Sequence, residues 1–159
     1  MKLIIMVAVT LLSFSIAGAQ ENEDSITAGG RVLRYELGAE LGEPTGANFK
    51  WWITKNNAID ALIGIAFVPD ATLQIHADYL RHAFGQFRGI QDQLPIIYGL
   101  GVAGQFRDEF LIGLRIPVGV QYLFESLPFT VFLHVAPRLD FTPDFGISMN
   151  SSVGVRYVF

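Results

Sequence analysis

The chain has 159 residues, 51% of them hydrophobic, with 11 basic against 15 acidic side chains, a formal net charge of −4, and no cysteine. The size fits one domain, the missing cysteine excludes disulfide staples and thiolate metal sites, and the acidic balance argues against a nucleic-acid partner. A mean hydropathy of +0.39 is high for a water-soluble domain, yet no internal run reaches the ~20 apolar residues of a helical membrane span.

The first element predicted is an export signal. Met1-Lys2 is a short positive start, Leu3 to Ile16 is apolar apart from Thr10, Ser13 and Ser15, and Ala17-Gly18-Ala19 is an A-x-A cleavage site. A polar run, Gln20-Glu21-Asn22-Glu23-Asp24, follows it. This order of regions marks a secretory signal peptide over 1–19. Residues 20–31 read as a flexible N-terminal segment.

Beyond it the period is two. Alternation predicts eight strands near 32–42, 45–53, 57–67, 72–84, 95–107, 111–124, 128–141 and 148–159. Turn chemistry separates them, as in Glu43-Pro44-Thr45-Gly46, Pro69-Asp70-Ala71 and Thr142-Pro143-Asp144. The stretch 83–94 breaks the alternation and reads as a longer loop or a strand extension. From Phe129 to Phe141 the odd positions are all apolar, whereas the even ones carry His134, Arg138 and Asp140. Ile112 to Phe124 and Val153 to Phe159 repeat the pattern. Pro117 and Pro137 fall inside the sixth and seventh strands, where each removes a ladder donor, so a paired bulge or local break is expected there.

Alternation alone fits a soluble sheet with its apolar face buried, or a lipid-embedded barrel with its apolar face outside. Strand lengths favour the barrel, since 9–11 tilted residues cross a bilayer. So do the almost unbroken aliphatic faces and the aromatic positions. With the N-terminus periplasmic, one rim holds Tyr35, Trp51 or Trp52, Tyr98, Tyr122, Phe124, Phe129, Tyr157 and Phe159; the other holds Phe67, Phe106, Phe110 and Phe141. The fold class expected is all-β, an up-and-down eight-stranded antiparallel transmembrane barrel over 32–159.

The signal peptide, the amphipathic strands and the terminal Val153-Gly154-Val155-Arg156-Tyr157-Val158-Phe159 resemble small bacterial outer-membrane β-barrels. The segments Arg115-Ile116-Pro117-Val118-Gly119-Val120 and Val135-Ala136-Pro137-Arg138-Leu139-Asp140 resemble a short, largely uncharacterised family of such proteins. The resemblance covers nearly all of the mature chain. It implies a Gram-negative outer-membrane address and contact with outer-membrane lipid. Tyr157 and Phe159 would be the C-terminal signal read by the outer-membrane assembly machinery. It implies no catalytic motif and no cofactor.

Chemistry is then confined to the inward face. Alternation places Arg34, Glu36, Glu40, Lys50, Asp60, Asp78, Arg115, Arg138, Asp140 and Arg156 there. Balanced charges in a narrow interior are expected to pair into a network that fills it. Arg115 and Asp140 fall diagonally across the sixth and seventh strands, with Asp140 able to serve both Arg115 and Arg138. His76, His82 and His134 also point inward. Two and six residues along one strand separate His76 from Asp78 and His82 by roughly 7 and 20 Å, too far for a joint metal site. The glycines at 99, 101, 113, 119 and 154 are expected to make room for inward side chains. Ser148, Ser151 and Ser152 are the candidate nucleophiles of a lipid enzyme, with His134 too deep to meet Ser151. A monomer with a structural or membrane-associated role is the reading. A narrow channel, a lipid-modifying enzyme and a soluble periplasmic barrel for an apolar ligand stay open beside it.

Overall fold

The computed structural model describes residues 27–90, 92–142 and 144–159. The predicted signal peptide and residues 20–26 lie outside the described residues. A small antiparallel hairpin, β1 (Thr27–Ala28) and β2 (Arg31–Val32), comes first. The rest is one antiparallel sheet: β3 (Tyr35–Glu43), β4 (Thr45–Trp52), β5 (Asn57–Ala66), β6 (Thr72–Ala83), β7 (Ile96–Phe106), β8 (Phe110–Arg115), β9 (Val118–Leu123), β10 (Phe129–Asp140) and β11 (Gly146–Val158). Pairing runs from β3 through β7 in chain order. Strand β7 then pairs with both β8 and β9, both of these pair with β10, and β11 joins β10 to β3. Each strand of this sheet therefore has a neighbour on both edges.

The sheet has nine strands where alternation predicted eight, because the sixth is divided at Ile116-Pro117. The register is kept across the break: Gly101 faces Arg115 before it and Tyr98 faces Val118 after it. No bulge is inserted. Hydrogen bonds at the break itself survive, from Gly99 N to the Pro117 carbonyl at 3.0 Å and from Ile116 N to the Pro137 carbonyl at 2.9 Å. Pro137 remains inside β10. In an antiparallel strand the N–H and C=O of a residue point to the same side. The donor that Pro137 lacks therefore faces the break, where its loss costs little.

The alternation sorts the side chains in the inverted sense. On β10, Arg138 is 3% exposed while Leu133 is 55% exposed; on β11, Arg156 is 1% and Val155 is 45%. Arg34 departs from the expectation. It is exposed, and its guanidinium carbon lies 5.9 Å from the Tyr35 ring centroid. Strand β3 begins only at Tyr35, so the period does not yet govern position 34.

Apolar packing on the buried side is concentrated at one end. Ala28, Leu33, Trp52, Ala58, Leu123 and Val158 cluster there, with Phe84 against them. The β1–β2 hairpin supplies Ala28 to this cluster. Its turn depends on Gly29, which has φ of +56° and whose absent Cβ would stand 2.5 Å from the Leu127 carbonyl carbon. The Gly29 N–H donates to the Phe124 carbonyl at 2.9 Å. Strand β6 ends at Ala83 and β7 begins at Ile96, so of the two readings of the stretch after β6 the loop holds and the strand extension does not.

Candidate functional site

Three linked polar groups occupy the buried face. Nearest the apolar cluster, Glu36 accepts from Trp52 Nε1 at 2.5 Å and from Thr130 Oγ1 at 2.6 Å. Lys50 Nζ donates to Gln121 Oε1 at 2.5 Å, stands 3.1 Å from His82 Nε2 and lies 3.9 Å from Asp60. Asp60 also takes Asn48 Nδ2 at 2.6 Å and the Arg156 guanidinium. Arg156 lies face-on to Phe132, its Cζ 3.5 Å from the ring centroid, and donates through Nε to Asn48. Such a stack is a favourable cation–π contact.

The middle group centres on Arg115. Its Nη1 donates to His76 Nδ1 at 2.5 Å, its Nη2 to His134 Nε2 at 3.2 Å, and its Nε lies 3.2 Å from Asp78 Oδ1. Arginine has no acceptor, so both histidine nitrogens present lone pairs to it. Glu40 takes Asn48 Nδ2 at 3.0 Å and the Ser152 hydroxyl. At the far end Arg138 donates to Asp140 at 2.6 Å and to Gln74 and Gln105, each at 3.1 Å, while Ser148 donates to Asp140 at 2.9 Å.

Of the ten charged residues expected on the inward face, nine are buried, Glu36, Glu40, Lys50, Asp60, Asp78, Arg115, Arg138, Asp140 and Arg156, and Arg34 is exposed. Their pairing differs from the expected diagonal. Arg115 takes Asp78, and Asp140 takes Arg138. Arg115 and Arg138 are directly opposite in the ladder, so their like charges drive the guanidinium groups apart. Arg115 turns to β6, two strands away. Gly101, between them, clears the path; a Cβ there would lie 1.8 Å from Asp78 Oδ1. Gly113 and Gly154 make room in the same way for Asp140 and Phe132, whereas Gly99 and Gly119 lie closest to the backbone of Tyr79 and Leu133.

Gly154 offers a direct check of this packing. A Cβ there would fall 2.3 Å from the Phe132 ring, which carries the Arg156 stack. Gly154→Val is therefore expected to destabilise the fold by about 1–3 kcal/mol through overpacking. The midpoint of urea unfolding, at unchanged slope, measures it.

Sequence reasoning missed the meeting of Ser152 with His134. The two are direct cross-strand partners, and Ser152 Oγ lies 3.2 Å from His134 Nε2. Glu40 Oε1 is 3.4 Å from that same nitrogen. A serine-histidine-acid relay needs the acid on the opposite ring nitrogen. Here Ser152, Glu40 and Arg115 all meet Nε2, with Ser152 and His134 each 4% exposed. The arrangement is a hydrogen-bond junction. Ser151 faces outward. Among the described residues no three His, Asp or Glu side chains stand together as a metal site.

Tyr157 and Phe159 stand on the outside of the C-terminal strand. Tyr157 packs edge-on against Phe129 and Phe159, with ring centroids 5.4 and 5.1 Å apart. The Phe159 N–H donates to the Tyr35 carbonyl at 3.0 Å, which ties the chain end to the first strand of the large sheet.

No family model matches the chain, and no curated protein does. Among solved structures it is similar to the N-terminal beta-barrel domain of Pseudomonas aeruginosa OprF, with a TM-score of 0.59 and 16% identity. The match covers 79% of this chain and 95% of that one. At this identity the likeness is one of fold alone: an all-β antiparallel sheet like that of a beta-barrel domain.

Proposed function

We propose that this chain is an outer-membrane protein whose strands close into a barrel of eight strand positions, β8 and β9 sharing one. Its polar interior is packed, and its role is structural or membrane-associated, without enzymatic activity. The observation that carries the reading is the inversion of the two faces. Guanidinium and carboxylate groups are buried, while Leu133, Val153 and Val155 are exposed. In water that arrangement wastes the hydrophobic effect, whereas in a bilayer it satisfies both solvents. Pairing on both edges of every strand of the large sheet meets the other demand of hydrocarbon, that backbone groups find partners. The same reading takes 1–19 as an export signal, 20–31 as a lead to the barrel over 32–159, and Tyr157 with Phe159 as the contact for the assembly machinery. The protein acts as a monomer.

The test is extraction and conductance. The folded chain is expected to need detergent and to migrate differently on gels before and after boiling. In a planar bilayer it is expected to carry no steady current, because Arg115, Arg138 and Arg156 are held by carboxylates and amides in a filled interior. Solubility without detergent would overturn the membrane assignment; a stable conductance would make the interior a channel.

A further inference from the structure

The outer surface is electrically lopsided. The end that carries the β4–β5 turn, the loop after β6 and the apolar cluster exposes Arg34, Lys55, Arg81 and Arg88 against two acids, Asp92 and Glu125. Every ion pair among the described residues lies on the buried face, and none involves these four. The opposite end is acidic, with Asp70, Asp108, Glu109 and Asp144 exposed beside Arg107.

Two of the four cations sit within the aromatic zone. Tyr35, Trp51, Ile59 and Tyr79 form one continuous cross-strand row from β3 to β6. Arg34 lies at one end of that row, its guanidinium against Tyr35. Arg81 lies at the other, two residues beyond Tyr79 on the same exposed face and directly opposite Tyr98. A ligand for this surface must offer negative charge to the arginines and hydrocarbon to the apolar side chains next to them. Free phosphate offers only the first. A lipid with an anionic headgroup offers both at the required depth, since tyrosine and tryptophan mark the headgroup level.

We infer that this end of the protein binds the phosphate groups of anionic phospholipids, with Arg34 and Arg81 as the contacts, and so selects these lipids from the surrounding leaflet. The inference rests on the membrane reading above. A basic side chain at a charged membrane surface enriches anionic lipid about fivefold, and the effect weakens as salt screens it.

The two tryptophans of the chain make the test direct. Trp51 is 42% exposed within the row, whereas Trp52 is buried at 6%. The full chain is folded into phosphatidylcholine vesicles containing an equal mole fraction of either brominated phosphatidylglycerol or brominated phosphatidylcholine, and tryptophan quenching is recorded. Brominated phosphatidylglycerol is expected to quench several-fold more strongly. The excess should fall as salt is raised, which needs no variant, and vanish in the Arg34→Gln/Arg81→Gln protein, whose folding is checked by heat-dependent gel migration. Equal quenching by the two lipids, or an excess that survives salt and the double substitution, overturns the inference and leaves the membrane reading intact. Quenching by neither lipid overturns both.

Discussion

Replacing Asp60 by alanine is expected to destabilise the folded protein by about 3–5 kcal/mol, the cost of leaving a buried charge without its counterion. Asp60 is 1% exposed and serves three donors: Arg156, Asn48 and, at 3.9 Å, Lys50. Removal takes a shared carboxylate from two buried cations, leaving Arg156 with Asn48 and, at 4.0 Å, Glu36, and leaving Lys50 with Gln121. Asp140→Ala should cost less, because Asp140 pairs with one cation and not two, and Arg138 keeps Gln74 and Gln105 as acceptors. The order of the two variants in urea unfolding from detergent is the measurement. Asp60→Asn should recover part of the loss, since its amide oxygen can still accept from Arg156. A neutral Asp60→Ala would mean that water, and not the carboxylate, solvates Arg156.

Leu133→Arg is expected to destabilise the vesicle-inserted protein by about 2–4 kcal/mol, the depth-dependent cost of a lipid-facing cation near the bilayer centre. Leu133 is exposed in the middle of β10, between Val120 and Val153 on the neighbouring strands. The sign is what makes the variant useful. On a protein surrounded by water an exposed leucine tolerates arginine within about 0.5 kcal/mol. Unfolding measured in vesicles would therefore report which solvent covers this face. A neutral result would remove the outer membrane from the proposal, and the inference about anionic lipid with it.

What the sequence determined by itself is the strands and their sides. A side-chain period of two follows from local backbone geometry, so the run Thr130 to Asp140 states which residues share a face without reference to any other strand. The break at Pro117 was legible for the same reason, as a missing donor is a property of one residue. The partners were not legible. Arg115 on β8 reaches past Gly101 to Asp78 on β6, and Arg156 on β11 reaches Asp60 on β5, so neither pair joins adjacent strands. Ser152 met His134 only once the β10–β11 register was fixed. Arg34, one residue before its strand, turned outward although its parity pointed in. Long flexible side chains in a confined space choose partners by three-dimensional reach and charge balance, and only the assembled sheet sets those distances.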